Sequence, residues 1–174
     1  MSKAVISVIG HDRPGLVSDL TKLVNAAGLN IEDSRMTVLG GEFAVLMALE
    51  GTDDALGGFE RALSELCQGD DLAHIYRTTQ ARSLDERTLP YKVTVVALDH
   101  PGIVHALAGF FSAREINIRD LNTQTQRAAH TGTPIFNVSM IAEVSEGTRI
   151  ADLKSAFEQF CADQDLDGEL HAER

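Results

Sequence analysis

The chain repeats one short pattern at a fixed distance. The two copies of the motif are Asp12-Arg13-Pro14-Gly15-Leu16-Val17 and Asp99-His100-Pro101-Gly102-Ile103-Val104, and those of a shorter pair are Asn30-Ile31 and Asn117-Ile118. Both pairs have an offset of 87 residues, which aligns 5–39 with 92–126 without a gap, with ten identical positions. This period is longer than that of a solenoid repeat. The repeat therefore predicts that the chain of 174 residues folds into two small domains of one fold, each able to hold a modest core.

Each copy predicts the order strand, helix, strand, strand, helix, strand. In the first copy, 5–9 is a short β-branched strand, 16–27 has helical apolar spacing, and Gly40-Gly41 separates two strand-like segments. The order βαββαβ is typical of the ferredoxin-like arrangement, in which two helices cover one face of a four-stranded antiparallel sheet. We therefore expect an α+β fold with tandem domains at 1–80 and 91–174 and a polar linker at 81–90.

Helix starts can be predicted from capping residues. We expect Pro14 in the first turn of the first helix, Thr52 or Asp53 as the cap of the second, and Thr148 as the cap of the last. A weak final strand is expected at 166–172, where Gly168 is unfavourable.

The third strand differs between the copies. In the first copy, 43–49 is apolar on both faces, whereas 136–140 in the second copy alternates between apolar and polar residues. Alternation is typical of a sheet with one solvated face. The unbroken run therefore predicts that the open face of the first sheet is covered, for example by a neighbouring chain. The alternative is that a few apolar residues simply face water.

Composition excludes several classes of protein. The net charge is −11 and no block of basic residues occurs, which disfavours direct nucleic-acid binding. No apolar run approaches the ~20 residues of a membrane span, and the first residues do not resemble a signal peptide, so we expect a cytoplasmic protein. Cys67 and Cys161 lie at apolar positions of predicted helices and are expected to be reduced, buried thiols, with a disulfide between the domains as the alternative.

The corner between the first strand and the first helix is suited to binding a small zwitterion. The first N–H groups of a helix have no internal partners, and the helix dipole favours a carboxylate there. Asp12 can pair with an ammonium group, and Asn30 offers both a donor and an acceptor. In this topology Asp12 and Asn30 lie near opposite ends of the helix. We therefore expect the site at an interface between domains, where one ligand can reach both.

A purely structural role explains each element alone. The Asp-x-Pro-Gly segment can be a helix cap and turn, and an asparagine after a helix can be an αL cap. Both elements occur together, at the same separation, in both copies. That combination favours a binding site.

Each copy resembles an ACT domain, the small-molecule-binding regulatory module of amino-acid metabolism. The resemblance covers almost the whole chain and implies that ligands contact the loop before Pro-Gly and the asparagine of the Asn-Ile pair. The implied ligand-binding residues are His11, Asp12, Arg13, Pro14, Gly15, Leu16, Asn30 and Ile31 in the first copy, and Asp99, His100, Pro101, Gly102, Ile103, Asn117 and Ile118 in the second.

A chain made of two such copies resembles the glycine cleavage system transcriptional repressor family. The resemblance implies a non-enzymatic regulator that senses a small amino acid such as glycine and contacts a transcription activator without binding DNA, and a homo-oligomer is expected. The chain departs from the family pattern at Gly10 and Asp12, where some members have His and Asn. In the second copy, Glu115 replaces Gly28 and His100 replaces Arg13, so the two sites need not bind the same ligand.

Two other functions fit the same topology. An acylphosphatase-type enzyme needs an arginine cradle for phosphate at the first loop, where only Arg13 is available. An RNA-recognition module needs exposed aromatic residues on the central strands and a basic surface. The six histidines lack the helical spacing of a zinc site, and no nucleotide-binding or nucleophile motif occurs, so no cofactor or metal is expected.

Overall fold

The computed structural model describes residues 1–80, 87–129 and 131–173, and the chain forms two compact units, Met1–Arg82 and Ser83–Arg174. The first unit consists of β1 (Ser2–His11), α1 (Leu16–Ala26), β2 (Asn30–Leu39), β3 (Glu42–Gly51), α2 (Asp53–Gly69) and β4 (Ala73–Thr79). The second consists of β5 (Thr88–Leu98), α3 (Ile103–Ser112), β6 (Asn117–Arg127), β7 (Pro134–Ser145), α4 (Ile150–Asp163) and β8 (Asp167–Ala172). The predicted α+β fold, with the order βαββαβ in each unit, is confirmed.

Each unit has one four-stranded antiparallel sheet with its helices on one face. The strand orders are β2-β3-β1-β4 and β6-β7-β5-β8, so the two most apolar strands are central in each sheet. In the first unit, Ala4, Ile6 and Val8 of β1 are completely buried in the core beneath the helices. In the second, four phenylalanine rings from α3 and α4 pack together, with the rings of Phe110 and Phe111 5.1 Å apart in an edge-to-face arrangement.

The four helices of the described residues end in the same way. An apolar residue two or three positions past each helix cap donates a backbone hydrogen bond to the carbonyl five residues earlier, and its side chain is buried. These bonds run from Leu29 to Val24, Leu72 to Cys67, Ile116 to Phe111 and Leu166 to Cys161. The residue before each donor has a positive φ; it is Gly28 after α1, but Asp71, Glu115 and Asp165 after the other helices.

Several boundary predictions are resolved by the structure. The Thr52 side chain caps α2 by accepting a hydrogen bond from the Ala55 N–H at 3.2 Å. The Thr148 prediction is wrong, because Thr148 lies in the turn after β7 and α4 begins at Ile150, with Arg149 as a cap that makes no side-chain bond. Residues 88–90 of the predicted linker belong to β5, residues 81–86 lie outside the described residues, and the domain limits stay a prediction.

One irregularity of the sheet is repeated in both units. The register between β2 and β3 shifts at Glu32, between Ile31 and Asp33, and the register between β6 and β7 shifts at Arg119, 87 residues later. A β-bulge of this kind adds one residue to one strand and changes which residues share a face. The two bulged residues form ion pairs of opposite polarity: Glu32 with Lys3 at 2.5 Å and Arg119 with Glu173 at 2.9 Å.

Candidate functional site

The corner between β1 and α1 is open to solvent. His11, Asp12, Pro14 and Gly15 are exposed, and only Leu16 is buried. Gly15 has φ 91° and forms the cap of α1, so Pro14 precedes the helix and the prediction of a proline in the first helical turn is wrong. Asp12 does not cap the helix, because no side chain makes a cap hydrogen bond there. The Leu16 N–H bonds the carbonyl of Arg13 at 3.4 Å, and the next N–H groups of the first turn have no partner within the helix.

Arg13 is held by two carboxylates. Its guanidinium bonds Asp19 at 3.1 Å and also bonds Asp70, at the end of α2. These two carboxylates raise the pKa of Arg13, and hydrogen bonding by Arg13 lowers the pKa of Asp19. Arg13 therefore ties the start of α1 to the end of α2 and carries little uncompensated positive charge.

The corner between β5 and α3 repeats this backbone geometry with different side chains. Gly102 has φ 103° and caps α3, and Ile103 is buried, while Asp99, His100 and Pro101 are exposed. Asp99 accepts a hydrogen bond from the Thr125 hydroxyl at 3.3 Å, and the Nδ1 atom of His100 lies 3.1 Å from the carbonyl of Pro101. The two corners therefore share backbone donors but differ in charge.

Both corners are anchored to the hairpin end of their sheets. The Asp12 N–H donates to the carbonyl of Gly41 at 3.3 Å, and the Asp99 N–H donates to the carbonyl of Pro134 at 3.1 Å. These bonds join the first corner to the turn between β2 and β3, and the second corner to the first residue of β7. The duplicated motif is therefore held in the same place in both units.

The asparagines lie at the other end of each sheet. Asn30 pairs with Glu50, which pairs with Lys3, so Asn30 is level with the start of β1. Asp12 follows nine residues after Lys3, about 30 Å away along an extended strand. The same pairing places Asn117 beside Glu143 and Pro90. Within one unit, the corner and the asparagine are therefore too far apart to contact one small ligand.

A cleft lies beside Asn117 at this end of the second unit. Its volume is about 620 Å³. The Nδ2 atom of Asn117 donates to the Oε2 atom of Glu143 at 2.8 Å. The residues that line the cleft are Arg87, Thr88, Glu115, Asn117, Glu143, Ser145, Glu146 and Gly147. The cleft therefore contains positively charged, negatively charged and amide side chains.

The isoleucines next to the asparagines have a different environment. Ile31 and Ile118 are partly buried and pack against the cores of their units. Because successive strand residues point to opposite faces, Asn30 and Asn117 point away from these cores. The isoleucines fix the start of the second strand, and the asparagines are the polar groups presented there.

Glu143 and Arg87, which line this cleft, were not predicted from the sequence. An acidic residue interrupts the third strand of each copy at the position paired with the asparagine, Glu50 in the first unit and Glu143 in the second. This repeated Asn–Glu pair was a usable signal. Arg87 carried none, because it lay within the predicted linker.

The described residues also bear on metal and thiol chemistry. None of their His, Cys, Asp and Glu side chains forms a group of three or more that could hold a metal ion. Cys67 and Cys161 are free and buried, as predicted, and burial raises the pKa of Cys161 to about 11. No helix in the described part of the chain is long and apolar enough to cross a membrane.

Comparison with known proteins agrees with this architecture. A model of the ACT domain family matches residues 2–75. A glycine cleavage system transcriptional repressor of Escherichia coli (strain K12) is 30% identical over 167 residues, which cover 96% of this chain and 88% of the relative. A crystal structure named for the same repressor is 29% identical with a TM-score of 0.73, covering 99% of this chain and 98% of that one. A protein structure from Galdieria sulphuraria is 25% identical with a TM-score of 0.83, covering 99% of each chain.

The fold and the duplicated corner define a tandem ACT-domain protein of the ferredoxin-like class. Homology of this extent supports a regulatory role. The chain belongs to the glycine cleavage system transcriptional repressor family.

Proposed function

We propose that this protein is a non-enzymatic sensor of a small amino acid, glycine being the first candidate, and that it modulates a transcription regulator by direct contact. The observation that carries the proposal is the duplicated corner, in which a left-handed glycine opens a helix beside an exposed aspartate in both units. Helix N–H groups suit a carboxylate, and an aspartate suits an ammonium group. A free amino acid carries both.

The asparagine end of the sheet supplies complementary chemistry. Asn117 donates to Glu143, so an amide and a carboxylate are held together beside the cleft. A carboxylate next to an amide carbonyl suits an ammonium group. Because the corner lies about 30 Å away within the same sheet, we propose that the corner of a second ACT domain completes each site.

Regulation follows if the ligand favours one arrangement of ACT domains. A ligand shifts such an equilibrium only by its difference in affinity for the two states. Binding would then change the surface that the protein partner contacts. The cytoplasmic location, the transcription-activator partner, the homo-oligomer and the absence of direct nucleic-acid binding stay predictions under this proposal.

An acylphosphatase-type enzyme is less well supported. Such a site needs a free arginine to cradle phosphate, whereas Arg13 bonds Asp19 and Asp70. The corresponding residue of the second unit is His100, which lies against the carbonyl of Pro101. Neither corner offers an uncommitted guanidinium.

Calorimetry with a panel of amino acids tests the sensor. We expect heat of binding with glycine or another small amino acid, and at least tenfold weaker binding in Asp12→Ala, Asn30→Ala, Asp99→Ala or Asn117→Ala, according to which sites are used. Asn122→Ala is the matched control, because Asn122 is an exposed asparagine of the same strand as Asn117 whose side chain donates to Asp120, two residues away, at 2.7 Å. Negligible heat with every amino acid would remove the sensor proposal.

The regulatory step needs a separate test. The intact protein is used as bait for extract with and without glycine, and recovered proteins are identified by mass spectrometry. We expect a transcription regulator whose recovery changes with glycine and is insensitive to glycine in the binding-deficient variant. Hydrolysis of an acyl phosphate by the wild type, lost in Arg13→Gln, would instead favour the enzyme.

A further inference from the structure

The open face of the first sheet, which the helices do not cover, is unusually apolar. Cross-strand pairing defines its three central rows, in the order β2, β3, β1, β4: Asp33, Ala48, Val5, Arg77; then Arg35, Leu46, Ser7, Ile75; then Thr37, Ala44, Ile9, Ala73. The exposed fractions of the large apolar members are 36% for Val5, 47% for Ile9, 51% for Leu46 and 61% for Ile75. These twelve residues, from all four strands β1 to β4, form what we call the β1–β4 face.

The second unit shows that the fold itself does not require this surface. On its open face, the two central strands β5 and β7 place Thr94 opposite Ser139, and Val96 opposite Asn137. Ser139 occupies the position that Leu46 occupies in the first unit. An apolar face on only one of two otherwise similar units indicates a binding surface for a protein partner.

We propose that the β1–β4 face binds the same face of a second copy of this chain, forming a two-fold symmetric dimer of first units. The argument for a second copy is charge complementarity. Asp33 and Arg77 lie in one row, at opposite edges of the sheet. A two-fold axis parallel to the strands, between β1 and β3, exchanges these edges and sets Asp33 of each copy opposite Arg77 of the other.

The same axis also sets three of the four large apolar residues opposite small ones, whereas Ile75 lies opposite Arg35. It places Ala48 opposite Val5 and Leu46 opposite Ser7, so the small residues of one copy receive the larger residues of the other. The alternative axis, perpendicular to the strands, sets Asp33 opposite Thr37 and Arg77 opposite Ala73, which gives neither charge an oppositely charged partner across the interface. Both axes leave the strands of the two sheets aligned, and aligned sheets pack about 10 Å apart, so the charge pairing is what selects the first axis.

The face carries little of the acidity of the whole chain. Its charged members are Asp33, Arg35 and Arg77, although the chain has a net charge of −11. Arg35 also bonds Asp33 within the unit at 2.6 Å. The face itself, with one carboxylate and two guanidinium groups, therefore adds no negative charge to the contact between two acidic chains.

The size of the face predicts a reversible dimer. Four strands about 4.8 Å apart, over a length of about 20 Å, give roughly 400 Å² in projection. A stable interface buries about 800 Å² per partner, and weak transient interfaces bury less. We therefore expect association that depends on protein concentration rather than a permanent dimer.

Sedimentation velocity on the intact protein without amino acids tests the proposal independently of ligand binding. We expect a dimer of the wild type that dissociates on dilution, and an increase of at least tenfold in its dissociation constant for Leu46→Asp. Ser139→Asp, the matched change on the second unit, should leave the constant unchanged. Far-ultraviolet circular dichroism confirms that each variant is folded. A wild type that is monomeric at about 100 µM, a concentration well above a micromolar dissociation constant, would overturn the proposal and leave the face to a partner of different sequence.

A charge exchange tests the orientation. Asp33→Arg alone and Arg77→Asp alone should each weaken the dimer, because like charges then face each other across the axis. The double variant should restore association to within about threefold of the wild type, as expected when a double-mutant cycle recovers a direct pair. Equal dissociation constants for all four proteins, or a double variant weaker than both single variants, would overturn the two-fold arrangement.

Discussion

Asp70, at the end of α2, accepts a hydrogen bond from the guanidinium of Arg13, in the corner between β1 and α1. The two residues are 57 positions apart in the chain, so this bond holds a candidate ligand-binding loop against a helix end that is distant in sequence. A cation at a helix C-terminus also interacts favourably with the helix dipole. The corner is therefore shaped before any ligand arrives.

Replacing Arg13 should lower stability in a manner that depends on pH. Arg13→Gln removes the pairing that lowers the pKa of Asp19. A lowered carboxylate pKa contributes stability above the ordinary value of 3.8, and this contribution is lost as the pH falls through the lowered pKa. Urea unfolding should show a less stable variant at pH 7 and a smaller difference in acid. The same loss of stability at both pH values would contradict this account, and His100→Gln is the control in the second unit.

Substitution of the residues with positive φ after α1 and α3 should have opposite effects on the stability of the two units. Glu115 has φ 56° after α3, and Gly28 has φ 68° at the same position after α1. Glu115→Gly should stabilise the second unit by roughly 0.5–1 kcal/mol, and Gly28→Ala should destabilise the first by about 1 kcal/mol, because side chains disfavour the left-handed conformation. A Cβ at Gly28 would meet nothing within 4 Å, so only the backbone effect is measured.

Thermal unfolding by circular dichroism measures both changes. Two transitions are resolved if the units unfold separately, and each variant should then move only the transition of its own unit. Shifts in the same direction for the two variants would show that backbone strain does not control these helix ends.

A methyl group at Gly168 should be costly because β8 packs closely on α4. An added Cβ would lie 2.6 Å from Sγ of Cys161 and 3.1 Å from the ring of Phe157. Gly168→Ala is therefore expected to destabilise the protein by about 1–3 kcal/mol through overpacking. Gly109→Ala, inside α3 with nothing within 4 Å of the added Cβ, is the matched control and should stabilise by about 0.5–1 kcal/mol. Denaturant unfolding of both variants at neutral pH provides the measurement.

Alkaline pH should destabilise the second unit through Cys161. Burial, with a smaller contribution from Asp167, raises the pKa of this thiol to about 11. A raised pKa means that the stabilising contribution is complete below the ordinary thiol value and is lost as the pH rises toward 11. The free energy of unfolding should therefore fall more steeply between pH 9 and pH 11 in the wild type than in Cys161→Ala, a range set by the ordinary and raised values. Parallel pH profiles would rule out this thiol as the cause.

The fold could be predicted because most of its helices and turns are specified by residues close together in the sequence. Apolar spacing located the helices, and the Gly40-Gly41 pair, both with positive φ, located the first hairpin. The bulges at Glu32 and Arg119 were missed because an extra residue in a strand leaves no mark on composition. The start of β5 was missed because Pro90 suggested a linker, although its carbonyl accepts a hydrogen bond from the Glu173 N–H at 3.0 Å.

The candidate site was only partly predictable, for a different reason. The duplicated corner is continuous in sequence, so its residues could be identified together. The pairing of Asn117 with Glu143 joins positions 26 residues apart, and it depends on a register that the hairpin length and the bulge set jointly. The bonds from Arg13 to Asp70 depend on how α2 packs, which periodicity does not encode.

The bulge at Glu32 divides β2 into two segments whose side-chain directions are set separately. If the strand were regular through Glu32, strict alternation over three positions would place Asn30 and Asp33 on opposite faces of the sheet; the bulge places both on the face opposite the helices. A change that kept Glu32 but made this stretch regular would turn Asn30 toward the helices and leave Asp33 and Arg35 where they are. One local irregularity therefore lets the asparagine share a side of the sheet with the residues that we assign to self-association.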